Sequence, residues 1–137
     1  MPITFLLIDD DEDDRMLFCE ALNDVDPVIQ CLTEGNGRIM LTKLETQELV
    51  RTDIIFVDIN MPSINGWEIL KKLKQHRDYS DIPVIMYSTS ARDFDMNQAQ
   101  KYGASSFMKK PYDFKSLKLR LAEIIQHLQS GSLPLLV

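Results

Sequence analysis

The chain has 137 residues, 45% hydrophobic and 26% charged, with a formal charge of −6. That length fits one domain with a core of its own, and the acidic balance argues against direct binding to nucleic acid. No apolar run reaches the roughly 20 residues of a membrane span, and the first run opens at Ile3 with no basic signal-peptide start, so a cytoplasmic setting is expected.

Residues 3–8 form a short, continuous apolar run that stops on Asp9-Asp10, as expected of a parallel strand covered on both faces. Residues 9–14 are six consecutive acids, and Leu17, Ala21 and Leu22 behind them give a weak helical stripe. A second strand is predicted over 28–32, followed by a loosely periodic helix around 39–44. The third strand, 54–57, ends on Asp58 and enters Ile59-Asn60-Met61-Pro62 and then Asn65-Gly66. Gly66, Ile69, Leu70 and Leu73 mark the next helix. The fourth strand, 84–87, leads into Ser88-Thr89-Ser90 and a loosely periodic helix over 94–102. The fifth, 106–109, meets Lys110-Pro111, and Leu117, Leu121, Ile124, Ile125 and Leu128 give the clearest helical stripe. Cys19 and Cys31 sit in apolar stretches and are read as reduced core residues. The helical pattern fails at Ser130-Gly131, so residues 129–137 are expected to be a disordered or weakly docked tail, with no output domain. Five βα units imply an α/β fold, a doubly wound three-layer sandwich on a parallel sheet.

Two of these strands end on acids, which would crowd Asp9, Asp10 and Asp58 at the carboxyl edge of the sheet, where open α/β folds bind ligands. Such crowding is costly unless a hard cation neutralises it. Other readings of the acids exist. Glu12, Asp13 and Asp14 suit the positive end of a helix dipole. Asp9, Asp11, Asp13 and Glu20 take the ligand positions of a calcium loop, but Asp14 stands where the sharp turn needs glycine. Asp9 and Asp11 also resemble the Asp-x-Asp pair of haloacid-dehalogenase-type phosphatases, an enzymatic alternative in which Asp9 is the nucleophile. Ser88 and Lys110 reach the same edge from the fourth and fifth strands, with Pro111 turning Lys110 inward. Together these strand ends describe a phosphoryl site. Asp58 is the nucleophile, a bridging Mg²⁺ neutralises the acids, and Ser88 and Lys110 hold the phosphoryl oxygens.

The combination Leu-Leu-Ile-Asp-Asp, Val-Asp-Ile-Asn-Met-Pro with Asn-Gly, Tyr-Ser-Thr and Met-Lys-Lys-Pro-Tyr resembles the response-regulator receiver domain of two-component signalling, over residues 3–128. The resemblance implies a receiver domain over 1–128 with a flavodoxin-like (βα)5 sheet of order 2-1-3-4-5. It implies Asp58 as phosphoacceptor and Mg²⁺ or Mn²⁺ held by Asp9, Asp10, Asp58 and the Asn60 backbone carbonyl. Ser88 matches the conformational hydroxyl, Lys110 the phosphate-contacting lysine, and Phe107 the switch aromatic. The Lys110–Pro111 bond is expected to be cis. Implied partners are a sensor histidine kinase or phosphotransfer protein and a downstream protein, with homodimerisation open and no nucleic acid or membrane. Tyr102, Phe107, Met108 and Lys109 are the candidate partner-facing residues, with a core position the alternative for Met108. The chain is then a switch and not an enzyme with an external substrate, while an interaction module that ignores phosphate is a further alternative. Thr89 replaces a common alanine and is expected to hinder the hydrolytic water. Within the family the chain most resembles stand-alone receivers paired with phytochrome kinases.

Overall fold

The computed structural model describes residues 3–134. Five strands alternate with five helices: β1 (Thr4–Ile8), α1 (Glu12–Val25), β2 (Gln30–Glu34), α2 (Gly37–Glu45), β3 (Ile54–Asp58), α3 (Gly66–Gln75), β4 (Val84–Ser88), α4 (Asp93–Lys101), β5 (Ser106–Lys109) and α5 (Phe114–Ser130). All strand pairs are parallel and the order is β2-β1-β3-β4-β5, as expected. The order reverses between β1 and β3, where a crevice opens at the strands' carboxyl ends. Ile8 lies level with Val57 across this pair, so the next residues, Asp9 and Asp58, emerge side by side.

Strand residues alternate between two cores. Phe5, Leu7, Ile54, Phe56, Ile85, Tyr87 and Met108 pack against Phe18, Ala21 and Leu22 of α1 and the Leu117–Leu121–Ile124–Ile125 stripe of α5. Leu6, Ile8, Ile55, Val57, Met86 and Phe107 face α2, α3 and α4 through Met40, Leu44, Ile69, Leu70, Leu73 and Ala99. Central strands covered on both faces read as unbroken apolar runs for this reason. On α1 the buried stripe is Phe18, Ala21 and Leu22, while Leu17 stays 45% exposed, one position off the expected face.

Three further expectations are corrected. β2 is an edge strand and begins at Gln30, because the Asp26 side chain accepts from the Val28 amide in a preceding turn and leaves Val28 exposed. Cys19 and Cys31 form a disulfide between α1 and β2, their Cα atoms 5.7 Å apart. Both are half-buried at the sheet's edge, within the spacing a bridge requires, and not free thiols in the core. The Lys110–Pro111 peptide is trans, and no cis bond occurs among the described residues. Trans is the lower-energy form for a bond to proline by about 0.5–1 kcal/mol. The Lys110 amide already continues the strand by donating to Ser88 O at 2.7 Å. At the chain's end, α5 stops at Ser130 on Gly131, whose φ of 84° suits glycine. Leu133 packs on the α1–α5 core, and residues 135–137 of the expected tail lie outside the described residues.

Gly66 starts α3 directly behind the end of β3. Its amide donates to Ile59 O at 3.0 Å, and a Cβ there would stand 2.2 Å from the Asp58 carbonyl oxygen. Gly66→Ala is therefore expected to cost about 1–3 kcal/mol through forced displacement of backbone. Urea unfolding checks this, since an unshifted midpoint would mean the loop absorbs the methyl group freely.

Candidate functional site

Each acid is set by the strand or cap that carries it. Asp9 ends β1 fully buried. Its Oδ1 accepts from the Asp11 amide at 3.0 Å, and its carbonyl accepts from Arg15 Nη1 at 2.8 Å. Asp10 is exposed. Asp11 is the N-cap of α1, its Oδ1 accepting from the Asp14 amide at 3.0 Å. That cap puts Glu12, Asp13 and Asp14 in the first helical turn, where acids suit the dipole. Since α1 begins at Glu12, no calcium loop exists here. Asp58 ends β3 at 5% exposure, and its Oδ1 accepts from the Asn60 amide at 3.1 Å. The loop behind it is pinned by Ile59, Met61 and Ile64, all buried, with Asn60 left exposed between them.

Lys110 crosses from the end of β5 to join these acids. Its Nζ lies 2.9 Å from Asp9 Oδ2, 2.8 Å from Asp14 Oδ2 and 3.6 Å from Asp58 Oδ2, and 5.1 Å above the Tyr87 ring. Burial opposes its charge, but the hydrogen bonds it donates to Asp14 and Asp9 outweigh that and hold the ammonium above the ordinary lysine range. Burial pushes the Asp58 carboxyl up to about 7 against the pull of Lys110, and the Asp9 charge adds to the rise.

Asp10, Asp11, Asp14, Asp58, Asn60, Thr89 and Lys110 line one open cleft. Asp9, Asp10 and Asp58 each bring a carboxylate oxygen within 4.8 Å of the others. Three oxygen donors so close together suit a hard divalent cation. The structure thus brings Asp9, Asp10, Asp58, Asn60 and Lys110, all named from the sequence, around one point. Ser88 lies outside the cleft lining, 1% exposed, with its Oγ accepting from the Ser90 amide at 3.3 Å. Phe107 is a core residue. Phe107 and Met108 are 1% and 0% exposed and so cannot face a partner. Tyr102 is half-buried under Lys71, whose Nζ is 4.2 Å from its ring, whereas Lys109 is exposed, its Nζ 5.7 Å from the ring of the exposed Tyr112. Sequence reasoning missed the Asp14–Lys110 pair, because no local pattern links residues so far apart.

Fold and site together define a flavodoxin-like α/β domain with a metal-competent carboxylate cleft at its switch point. The family model for the response regulator receiver domain matches residues 5–122, and the chain belongs to that family. It is a receiver domain of two-component signalling, a family whose general mechanism is phosphorylation of an aspartate. The response regulator SaeR of Staphylococcus aureus (strain USA300) is 30% identical over 128 residues, covering 93% of this chain and 53% of that protein. The chain thus spans about half the length of the curated relatives it matches. The phosphorylated cyanobacterial phytochrome response regulator RcpA superposes with a TM-score of 0.85 at 23% identity, over 97% of this chain and 98% of that one. The chemotaxis response regulator CheY4 of Vibrio cholerae gives 0.76 at 25% identity, over 90% and 99%. The Mn²⁺-bound form of the response regulator Rcp1 gives 0.78 at 24%, over 98% and 99%. No described helix is long and apolar enough to cross a membrane.

Proposed function

We propose that this chain is a phosphorylation-dependent signalling switch that accepts a phosphoryl group on Asp58 from a sensor histidine kinase or phosphotransfer protein, in the cytoplasm. The observation that carries this reading is Asp58 at the mouth of the cleft, 3.6 Å from the Lys110 ammonium and within 4.8 Å of two further carboxylates. A carboxylate oxygen of Asp58 forms the new O–P bond, and the donor's bond to phosphorus breaks. Asp9, Asp10 and Asp58, with the Asn60 carbonyl, are the residues that would hold Mg²⁺ or Mn²⁺. Such an ion, when bound, offsets the clustered negative charge and orients the phosphoryl oxygens. Lys110 supplies a second positive charge to those oxygens. Asp9 is a weaker candidate nucleophile, because it is fully buried and both its oxygens are already engaged, by Lys110 and the Asp11 amide.

Ser88 and Phe107 are the switch pair in this reading. Both are buried, next to the β4 and β5 ends, so a shift of the Ser88 hydroxyl toward the acyl phosphate repacks Phe107 against α4. A downstream protein reads the result, as ligation biases one of two packings. Turnover of an external substrate is not part of this role.

Intact-mass analysis after incubation with Mg²⁺ and acetyl phosphate tests the proposal. A single phosphate adduct is expected on the natural protein and none on Asp58→Asn. An adduct that survives Asp58→Asn and disappears in Asp9→Asn would support the phosphatase-like alternative. Thr89 is exposed on the cleft wall, where it restricts the approach of water. Thr89→Ala is expected to shorten the acyl-phosphate lifetime by roughly twofold to fivefold, and an unchanged decay rate would remove Thr89 from that role.

A further inference from the structure

We propose that Asp14 is a positioning residue that competes with the phosphoryl group on Asp58 for the Lys110 ammonium, and so sets how tightly the site holds that group. The inference rests on Asp58 being the phosphoacceptor. An ammonium has three N–H donors. Two of them are committed, to Asp9 Oδ2 at 2.9 Å and to Asp14 Oδ2 at 2.8 Å, while Asp58 Oδ2 stays at 3.6 Å, beyond a normal hydrogen bond. To bond a phosphoryl oxygen on Asp58, Lys110 must swing toward Asp58 and loosen one of its two close partners.

Burial decides which partner gives way. Asp9 is fully buried, and without the lysine it would become an uncompensated interior charge. Asp14 has a side chain 36% exposed, so water can replace the lysine there at little cost. Asp14 cannot simply follow Lys110. Its amide is tied to the Asp11 cap at 3.0 Å, which anchors its backbone in the first turn of α1 and limits how far its short side chain can travel. Of the three acids in that turn, Asp14 is the one that reaches Lys110, and Asp13, equal in charge and one residue away, is a built-in control.

The test uses beryllofluoride as the phosphoryl mimic, titrated at fixed Mg²⁺ and followed by ¹⁹F NMR, on the full chain and its Asp14→Asn and Asp13→Asn variants. Asp14→Asn is expected to bind roughly 3–10-fold more tightly, the scale of a partly exposed ion pair, with Asp13→Asn within about twofold of the natural protein. Asp14→Ser, which also keeps a residue suited to a helix start, should reproduce the gain. A purely structural role would lower the melting temperature and leave beryllofluoride affinity unchanged, and that result overturns the proposal. Equal tightening in Asp13→Asn and Asp14→Asn overturns it too, since general charge would then suffice. If the natural protein fails to bind beryllofluoride with Mg²⁺ at all, the phosphoacceptor reading itself is what fails.

Discussion

Asp58→Asn is expected to stabilise the metal-free protein by about 3 kcal/mol at pH 8, while abolishing its phosphate adduct. Burial raises the Asp58 carboxyl from the usual 3.8 to about 7, and the partial attraction of Lys110 does not reverse this. The folded chain therefore holds a proton on Asp58 that the unfolded chain releases between about pH 4 and 7. Stability from this source is fully present below the unfolded value and is lost as pH climbs through 7. A neutral asparagine of the same shape escapes that loss, so the variant's advantage should be largest at pH 8 and should shrink steadily toward pH 4. Urea unfolding in a chelator across that range measures it. A variant less stable than the natural protein at pH 8 would mean that the Lys110–Asp58 attraction outweighs desolvation. Adding Mg²⁺ should narrow the gap, because a cation bound only by the folded natural protein restores what the crowded acids cost. The proposed phosphoacceptor is thus expected to weaken the resting fold.

The central sheet was legible because burial on both faces leaves continuous apolar strings, and Ile54-Ile55-Phe56-Val57 has no other simple reading. The acids at the ends of β1 and β3 were legible for the same reason, since a strand's end fixes where its next residue emerges. The edge strand β2 was placed two residues too early, and the stripe of α1 was read with Leu17 where Phe18 is buried, because half-exposed elements carry weak patterns. The Cys19–Cys31 bridge and the Asp14–Lys110 pair were hidden, because both depend on distances between elements and not on local composition. Met108 showed the converse problem. A residue on a short strand reads the same in sequence whether its side chain points to solvent or, as here, into the α1–α5 core.

Lys110→Met should cost about 3–5 kcal/mol in a chelator at pH 8, and most of that loss should return with Mg²⁺. Methionine keeps an unbranched apolar side chain and removes the ammonium, with its hydrogen bonds to Asp9 and Asp14 and its position 5.1 Å from the Tyr87 ring centroid. What remains is Asp9 fully buried and Asp58 nearly so, both without their nearby cation, and Asp14 with its ion pair broken. Removing one member of a buried charge pair is far more damaging than removing a surface charge, because the partner stays desolvated. A divalent cation held by Asp9, Asp10 and Asp58 would supply the missing positive charge at nearly the same point, so the stability of the variant should depend on metal more steeply than that of the natural protein. Thermal unfolding of both proteins, with chelator and with millimolar Mg²⁺, separates the terms. An equal deficit in both conditions would show that Lys110 stabilises the chain by packing and hydrogen bonding alone. Recovery with Mg²⁺ would show that lysine and metal neutralise the same cluster of acids.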